Sequence, residues 1–555
     1  MRRWKARASE LCHGGIFRAA SSVGVLSGLG KIFDTESIGD FRSTTPVKDV
    51  DVFISHSWSS GRWEKYLAVC YFLNLGLATK AMLASVVLSE SFMLVCPNVN
   101  IHIVFWFLLD FPILVFFLVF FFGQHLTCGV LGPRFWVDRL CVDQTDETTK
   151  AEGIAALPTI VANSSDLLVF WDKSYCERLW CNFELSIFVK SHGLKNLRLA
   201  PLWLTPWLLT TMLLSYVSAR LVAVFTEFDP GFVVNTVNAT SKFQGVDGTP
   251  FAFGLHRISE YVLQSQAYVL FCAPPMLVGL FCFQKKLDGH RDMLESMASF
   301  DVRNAKCAVE QDRLFIEAQV AELFDGLEDP IIAVPIEVAE SVKVEKSSEG
   351  DDERQELMDL ALTSSARLAV RSVTGFANHE DCLEEFNIYV QGPLRDAVVE
   401  DLGDATDIPY AVCLLAMFPW VLALAPVTWV QKPALHALGF RSDLEYFAVS
   451  FTENLFVSLV YPAAFPCLFR CVKYLDESFD RGFLRAGVAC VCGCLTFSVV
   501  QLECSFAAGS LEGFIITQHP AFLGFFVLAV IAAMFQHYML FCAGWPRQSS
   551  REIGM

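Results

Sequence analysis

The sequence lacks a secretory signal and a pore signature, and its second cytosolic region lacks the motifs of a catalytic or phosphate-binding site. No continuous apolar core follows the basic start, as a secretory signal requires, so residues 1–50 are expected to form a basic cytosolic tail. The region 284–407 has no Gly-rich phosphate loop and no nucleophile–base pairing. We therefore interpret that region as an interaction or assembly region. No pore signature or internal repeat accompanies the apolar segments.

Disulfide bonds and metal sites are also not expected, although the chain has 19 cysteines. The cysteines fall in or beside predicted membrane spans or in predicted cytosolic stretches, and the long predicted outer loops have none. Disulfide bonds form on the oxidising side of a membrane, so a disulfide framework would place cysteines in the outer loops. Cys490, Cys492 and Cys494 alternate, and a helix would spread them around its circumference. No metal ligand set is predicted.

Basic residues are too few to balance the acidic ones, and the formal net charge is −18. Nearly all of this excess lies between Lys285 and Asp407, where there are 29 acidic and 12 basic residues. Such a segment repels nucleic acid and anionic lipid surfaces. We therefore expect no nucleic-acid partner, and a cytosolic helical region that is acidic from 284 to 407.

Apolar residues, in contrast, are abundant: they make up 54% of the chain, and the mean hydropathy is +0.43. A helix needs about 20 apolar residues to cross a bilayer, and runs of that length recur. The sequence therefore predicts a multi-pass α-helical membrane protein of about eight spans, with the lipid bilayer as its first partner. The predicted spans are roughly 76–96, 101–122, 202–225, 262–283, 408–430, 446–468, 484–506 and 520–543.

The distribution of Lys and Arg predicts the orientation of these spans. In an eight-span arrangement the basic stretches all fall on one side, which the positive-inside rule makes the cytosol. Both termini are then cytosolic, and the sequon at Asn238 lies in an outer loop. The sequence leaves open which membrane holds the protein.

The predicted divisions are a tail at 1–50, a split module at 51–75 and 124–201, a transmembrane hairpin at 76–123, two spans with an outer loop at 202–283, the acidic region, four spans at 408–543 and a tail at 544–555.

The split module is predicted from alternating strands and helices. Asp51–Ser57, Phe135–Val142 and Asp166–Phe170 read as buried strands, and Leu179–Val189 reads as a helix. Such alternation is typical of a doubly wound parallel sheet. A hairpin of two spans returns the chain to its starting side, so the first two strands can pair across the insertion. Asn196–Trp203 or Ile331–Val338 could supply a further strand.

Four runs in this module resemble TIR domains, which are flavodoxin-like α/β signalling modules. They are Asp51–Ser57, Phe135–Gln144, Leu167–Phe170 and Leu179–Leu185, and the last contains the Trp-Cys-Asn-Phe-Glu run that ends at Glu184. The second run is also similar to fungal heterokaryon-incompatibility domains. The resemblance covers about a quarter of the chain. It implies a cytosolic flavodoxin-like module that assembles into homo- or hetero-oligomers in signal transduction.

Some TIR domains hydrolyse NAD, and the resemblance implies a site for that reaction. Glu184 would be the catalytic carboxylate, and NAD would be the substrate, with no cofactor or metal required. Ser57 and Trp58 would line the cleft, Asp138 and Asp143 would border it, and Trp180 would lie on the face of Glu184. Non-enzymatic TIR adaptors carry the same Trp-Cys-x-x-Glu pattern. A signalling and assembly module without catalysis is therefore the first interpretation, and NAD glycohydrolysis is the alternative.

Acidic residues inside predicted spans give a second alternative, a transporter or channel. Asp110, Glu453 and Glu503 lie in apolar runs, where an acid is costly and often functional. For Asp110, we favour a neutral carboxyl that holds a Pro-kinked helix to its neighbour.

Overall fold

The protein divides into two compact units, each assembled from separate parts of the chain. The computed structural model describes residues 2–37, 39–96, 99–228, 249–307, 309–325, 379–436, 439–478 and 482–542. Residues 1–74, 122–203 and 291–398 make up the first unit, here named the sheet unit. Residues 75–121, 204–290 and 399–555 make up the second, the helical unit. Most of the described chain is helical.

The α-helices of the described chain follow in order. They are α1 (Arg2–His13), α2 (Ser22–Gly30), α3 (Arg62–Val95), α4 (Ile101–Phe105), α5 (Phe111–Leu126), α6 (Asp138–Cys141), α7 (Glu147–Ala162), α8 (Leu179–His192), α9 (Leu204–Phe228), α10 (Pro250–Ala298), α11 (Glu310–Leu323), α12 (His379–Tyr389), α13 (Arg395–Leu402), α14 (Tyr410–Leu422), α15 (Leu424–Gln431), α16 (Asp443–Val460), α17 (Ala464–Ser478), α18 (Gly482–Thr517) and α19 (Pro520–His537).

A six-stranded sheet organises the sheet unit. Its strands are β1 (Arg18–Ser21), β2 (Thr45–Pro46), β3 (Val50–His56), β4 (Arg134–Trp136), β5 (Ser164–Trp171) and β6 (Leu197–Pro201). Their order across the sheet is β2-β1-β4-β3-β5-β6. The last four are parallel, and β1 is antiparallel to both of its neighbours.

The central strands are apolar along nearly their whole length because both faces of the sheet are covered. In β3 and β5 most side chains are buried, including Phe53, Ile54 and the run 167–171. Phe53 stacks on Trp136 of β4 with ring centroids 4.5 Å apart. This contact joins two strands that are separated in sequence by α3, α4 and α5.

The pairing of β3 with β4 confirms that the first two predicted strands share one sheet despite the insertion between them. Val52 is paired with Phe135, and Phe53 with Trp136. The second strand is shorter than expected, because the chain turns into α6 at Asp138 where the sequence predicts extended backbone to Val142. The further strand expected within Asn196–Trp203 is present as β6. The competing candidate Ile331–Val338 lies outside the described residues.

Residues 1–50 are not a separate tail, because they supply β1, β2 and α2 to the sheet unit. Phe17, Ala19 and Ala20 are buried there, and Ala20 pairs with Phe135 of β4. The basic character at the start of the chain concealed these short strands. A strand of four residues is too short to show a period.

The acidic region also folds with the sheet unit, over its described residues from 291 to 325 and 379 to 398. Phe315 of α11 packs edge-on against Phe183 of α8, with ring centroids 6.4 Å apart. The side chain of Asn387 accepts a hydrogen bond from the backbone N–H of Val302 at 2.9 Å. The predicted boundary at 284 therefore falls within α10, and α11 packs on the helix that carries Glu184.

Seven helices or helix pairs in the described chain are long and apolar enough to cross a membrane. They span Arg62–Val95, Ile101–Leu126, Leu204–Val224, Tyr410–Gln431, Asp443–Leu475, Gly487–Thr517 and Pro520–Cys542. They support a membrane localisation and correspond to seven of the eight predicted spans. The eighth, 262–283, lies inside α10, where most side chains fall outside the described residues. Asn238 also lies outside them.

Asp110 has partners on a neighbouring helix of the helical unit. A turn of π-helix at Trp106–Asp110 precedes α5, and such turns often mark functional or strained points. One carboxylate oxygen of Asp110 accepts a hydrogen bond from the Tyr216 hydroxyl at 2.8 Å and lies 3.5 Å from Nε of Arg220. The predicted link between helices is therefore present, but an arginine contributes to it.

Removal of the ring that joins β3 to β4 should unfold the sheet unit. Phe53→Ala leaves a cavity beside Trp136, and replacing a buried Phe by Ala costs about 3–5 kcal/mol. Trp63→Ala is the matched control, because Trp63 is 56% exposed on the next helix. Thermal unfolding and limited proteolysis of the full chain in detergent measure both variants. Equal stability of the two would contradict a core that depends on the β3–β4 contact.

Candidate functional site

The residues that follow β3, β4 and β5 come together at the carboxyl edge of the sheet, and this edge is here named the crevice. In the chain β3 is followed by Ser57 and Trp58, β4 by Asp138, and β5 by a loop from Asp172 to Arg178. The chain passes from β3 to β4 on one side of β3 and then to β5 on the other. Open α/β sheets bind ligands where the strand order reverses in this way. The candidate site is therefore at this edge.

Serine side chains close one side of the crevice. Ser57 is fully buried, and its hydroxyl lies 2.7 Å from the hydroxyl of Ser59. Ser174, in the loop after β5, donates to the Ser57 hydroxyl at 2.8 Å. The Ser174 hydroxyl also lies 2.7 Å from the carboxylate of Asp172. These bonds join the loop after β3 to the loop after β5 by short polar side chains.

Trp58 forms the opposite wall, and its indole N–H donates to the carboxylate of Asp138 at 3.2 Å. Nε2 of His56 lies 3.7 Å from the same carboxylate. Burial alone would raise the pKa of Asp138, but the nearby His56 ring and the backbone N–H and charge of Arg139 together outweigh it and lower that pKa. The Arg139 guanidinium lies 4.1 Å from the centre of the Trp58 ring, within cation–π distance. Asp138 and Arg139 therefore fix the indole in place.

Lys65 is a fully buried ammonium beside this wall. Its Nζ lies 5.1 Å from the centre of the Trp58 ring and has no hydrogen-bond partner among the described residues. Burial lowers the pKa of Lys65 to about 8, although the charges of Asp172 and Asp138 oppose the shift. An unpaired buried ammonium is costly, and an anionic group in the crevice would compensate it.

Glu184, on the second turn of α8, is the carboxyl of the site. Burial raises the pKa of Glu184 to about 8, the Ser55 hydroxyl lowers it by hydrogen bonding, and the charge of Asp138 raises it further. The Ser55 hydroxyl also lies 2.8 Å from the hydroxyl of Tyr175. Near neutral pH the Glu184 side chain is therefore mainly the protonated acid, and a nearby positive charge would favour its ionised form.

The structure brings four of the six predicted site residues to this edge of the sheet. Ser57, Trp58 and Asp138 line the crevice, and Glu184 lies against Ser55 at the end of β3. Trp180 is half-buried and packs edge-on against Phe183, with ring centroids 6.0 Å apart. It therefore supports α8. Asp143 accepts from the backbone N–H and hydroxyl of Thr145, which orders its own loop.

Sequence analysis missed Lys65, and the reason is the rotation of α3. The apolar residues at the start of this helix, from Trp63 and Tyr66 to Cys70 and Leu73, predict one inward face. Tyr66 and Cys70 are buried as that face predicts, but Trp63 is exposed and Lys65 is buried. A lysine next to an apolar run is normally interpreted as solvated, because its long side chain can reach water. Lys65 follows the buried Ser57 by eight residues, on the helix that leaves the end of β3. That proximity to the site can be recognised only once the end of β3 at His56 is known.

No protein-family profile, no curated protein and no solved structure matches the chain.

The raised pKa of Glu184 predicts how stability depends on pH. The folded state holds this proton up to about pH 8, whereas the unfolded chain releases it near the usual 4.5. The stabilisation is therefore complete below about pH 4.5 and is lost as the pH rises to about 8. We expect the wild type to lose on the order of 2–4 kcal/mol relative to Glu184→Gln between pH 5 and 8.

Thermal unfolding of both proteins across this range measures the difference. Lys65 does not confuse the result, because the destabilisation caused by its buried charge is constant below about pH 8 and is relieved only between about pH 8 and 10.5. Glu177→Gln, which changes a half-exposed carboxylate in the preceding loop, is the control and should parallel the wild type. Parallel curves for wild type and Glu184→Gln would show that the Glu184 carboxyl is not desolvated.

Proposed function

We propose that the chain is a multi-pass membrane signalling protein whose sheet unit is a cytosolic TIR-like module that cleaves NAD. The strand order supports the module. Numbered among themselves, the four parallel strands lie in the order second, first, third, fourth, which is the order of flavodoxin-type folds. Three of the TIR-like runs also fall at the positions where that fold places ligands, after β3, after β4 and at the start of α8.

The environment of Glu184 is the observation that carries the enzymatic part of the proposal. A buried carboxyl with a pKa of about 8 at the carboxyl edge of a parallel sheet is a functional-site signal. The nicotinamide ring of NAD⁺ is a cation, so its binding would favour the carboxylate form of Glu184. The desolvated carboxylate would then interact strongly with positive charge on the ribose.

The reaction balances with water as the only co-reactant. The bond between ribose C1′ and the ring nitrogen breaks, and nicotinamide leaves as a neutral molecule with the bonding electrons. The Glu184 carboxylate stabilises the oxocarbenium-like ribose, as in glycosidases. Water then adds to C1′ and transfers a proton to Glu184. Lys65 offers a positive charge for the pyrophosphate, and Trp58 offers an aromatic wall.

A signalling and assembly module without catalysis is the second candidate. The side chain of Trp180, the first residue of the Trp-Cys-x-x-Glu pattern, packs on Phe183. Phe183 in turn contacts Phe315 of α11. A pattern that serves packing in this way would be retained in an adaptor too. Oligomerisation through the module, with no NAD loss, is the behaviour this candidate predicts.

Glu184→Gln should separate the two candidates. If Glu184 stabilises the ribose cation, the substitution should lower NAD turnover by roughly 10²-fold or more, because one preorganised electrostatic group is worth about 3–4 kcal/mol. Glutamine keeps the shape and the hydrogen bonding, so the fold should persist. Glu177→Gln again serves as the control. NAD consumption and cross-linked oligomers are measured on the same full-length protein in detergent.

The pH profile adds a second readout. Turnover should rise as Glu184 ionises and fall as Lys65 loses its proton, and both pKa values are about 8. A narrow maximum near that pH is therefore expected for kcat/KM. Wild-type protein that assembles and leaves NAD unchanged at every pH would contradict catalysis and favour the adaptor.

A further inference from the structure

The helical unit contains a cavity of about 180 Å³ whose lining includes charged side chains. Side chains of α9, α10, α14, α15, α16 and α18 line it. Its charged lining residues are Arg257, Glu260, Glu453 and Glu512. Three of the four are acids, in a group of helices whose length and composition suit a membrane. An arrangement of this kind is costly in lipid and usually faces a ligand or a proton path.

Arg257 neutralises only part of this acidic charge. Its guanidinium donates to Glu512 at 2.5 Å and to Glu260 at 3.2 Å. Glu512 is 1% exposed, and its other carboxylate oxygen has no hydrogen-bond partner in the described part of the chain. One buried oxygen of Glu453 also has none there. The cavity therefore has acceptors and negative charge in excess.

The other lining residues favour an organic cation over a metal ion. Aromatic rings of Tyr261, Trp420, Phe440, Tyr446 and Tyr461 line the same cavity. Faces of aromatic rings attract ammonium groups, most strongly where water is excluded. The described residues contain no group of three or more His, Cys, Asp or Glu that could hold a metal ion. The cavity is also smaller than the roughly 300–1,000 Å³ typical of drug-sized ligands.

We propose that this cavity binds a small organic ammonium ion, with Glu453 and Glu512 facing its charge and the aromatic rings enclosing its alkyl groups. The site is independent of the crevice in the sheet unit. It gives the membrane helices a ligand of their own, which a transporter or a ligand-gated signalling protein would require.

Choline is a suitable probe, and 3,3-dimethylbutan-1-ol is its uncharged counterpart of the same shape. Full-length protein in detergent should bind radiolabelled choline saturably, and choline should raise the unfolding temperature. The alcohol and excess K⁺ should not displace choline. Glu453→Gln should weaken choline binding about tenfold or more, because a charge-assisted contact is lost.

Glu503→Gln is the matched control, because Glu503 lies on α18 with Glu512 but does not line the cavity. It should bind choline like the wild type. Trp420→Leu tests the aromatic wall in case Glu453→Gln fails to fold, and it should also weaken binding. Absence of saturable binding, equal displacement by the alcohol or by K⁺, or unchanged affinity in Glu453→Gln and Trp420→Leu would each overturn the proposal.

Discussion

The parallel pairing of β3 with both β4 and β5 is the constraint on which the sheet unit depends. β3 has a parallel partner on each side, and its side chains are nearly all buried. Its pairing with β4 requires the chain to leave the sheet unit through α3 and return through α5. An even number of crossings satisfies that requirement. The insertion is therefore compatible with the fold because it is a hairpin, and a single span would separate the strands.

The same pairing determines which side chains meet in the crevice. Parallel strands end at one edge, so the residues after β3, β4 and β5 are brought together although they are far apart in sequence. Burial then acts on Glu184 and Lys65 in opposite directions, raising the pKa of the acid and lowering that of the amine to about 8 in both cases. The substrate that we propose, a dinucleotide with a cationic ring and an anionic pyrophosphate, carries charges of both signs for these two groups.

Long apolar segments are the part of the fold that the sequence predicts well. In these segments hydrophobicity and length are enough to tell strand, helix and membrane span apart. They are β3, β5, α8 and seven of the predicted spans. Short elements depend on tertiary contacts instead. β1 has four residues, and β4 ends at Trp136 because the chain turns into α6. For the site, motif residues identified Ser57, Trp58, Asp138 and Glu184. The burial of Lys65 depends on how α3 is rotated about its axis. The pattern of apolar residues predicts that rotation only approximately.

Charged residues of the helical unit differ in whether a partner from another helix compensates them, and this difference carries functional information. Asp110 has Arg220 and Tyr216, and Glu90 accepts a hydrogen bond from the Trp429 indole at 2.9 Å. Glu512 has Arg257, 255 positions away in sequence, a pairing that no local pattern could reveal. Links of this kind hold helices together at the cost of burying polar groups. A structural role is enough to account for the acids that form them. Glu453 and Glu512 also differ from Asp110 and Glu90 in another respect, because each has one buried oxygen without a hydrogen-bond partner in the described chain and lines the cavity with aromatic walls. An oxygen of this kind can accept from a cation or a proton donor that enters the cavity, which is the role we propose for the ammonium ion.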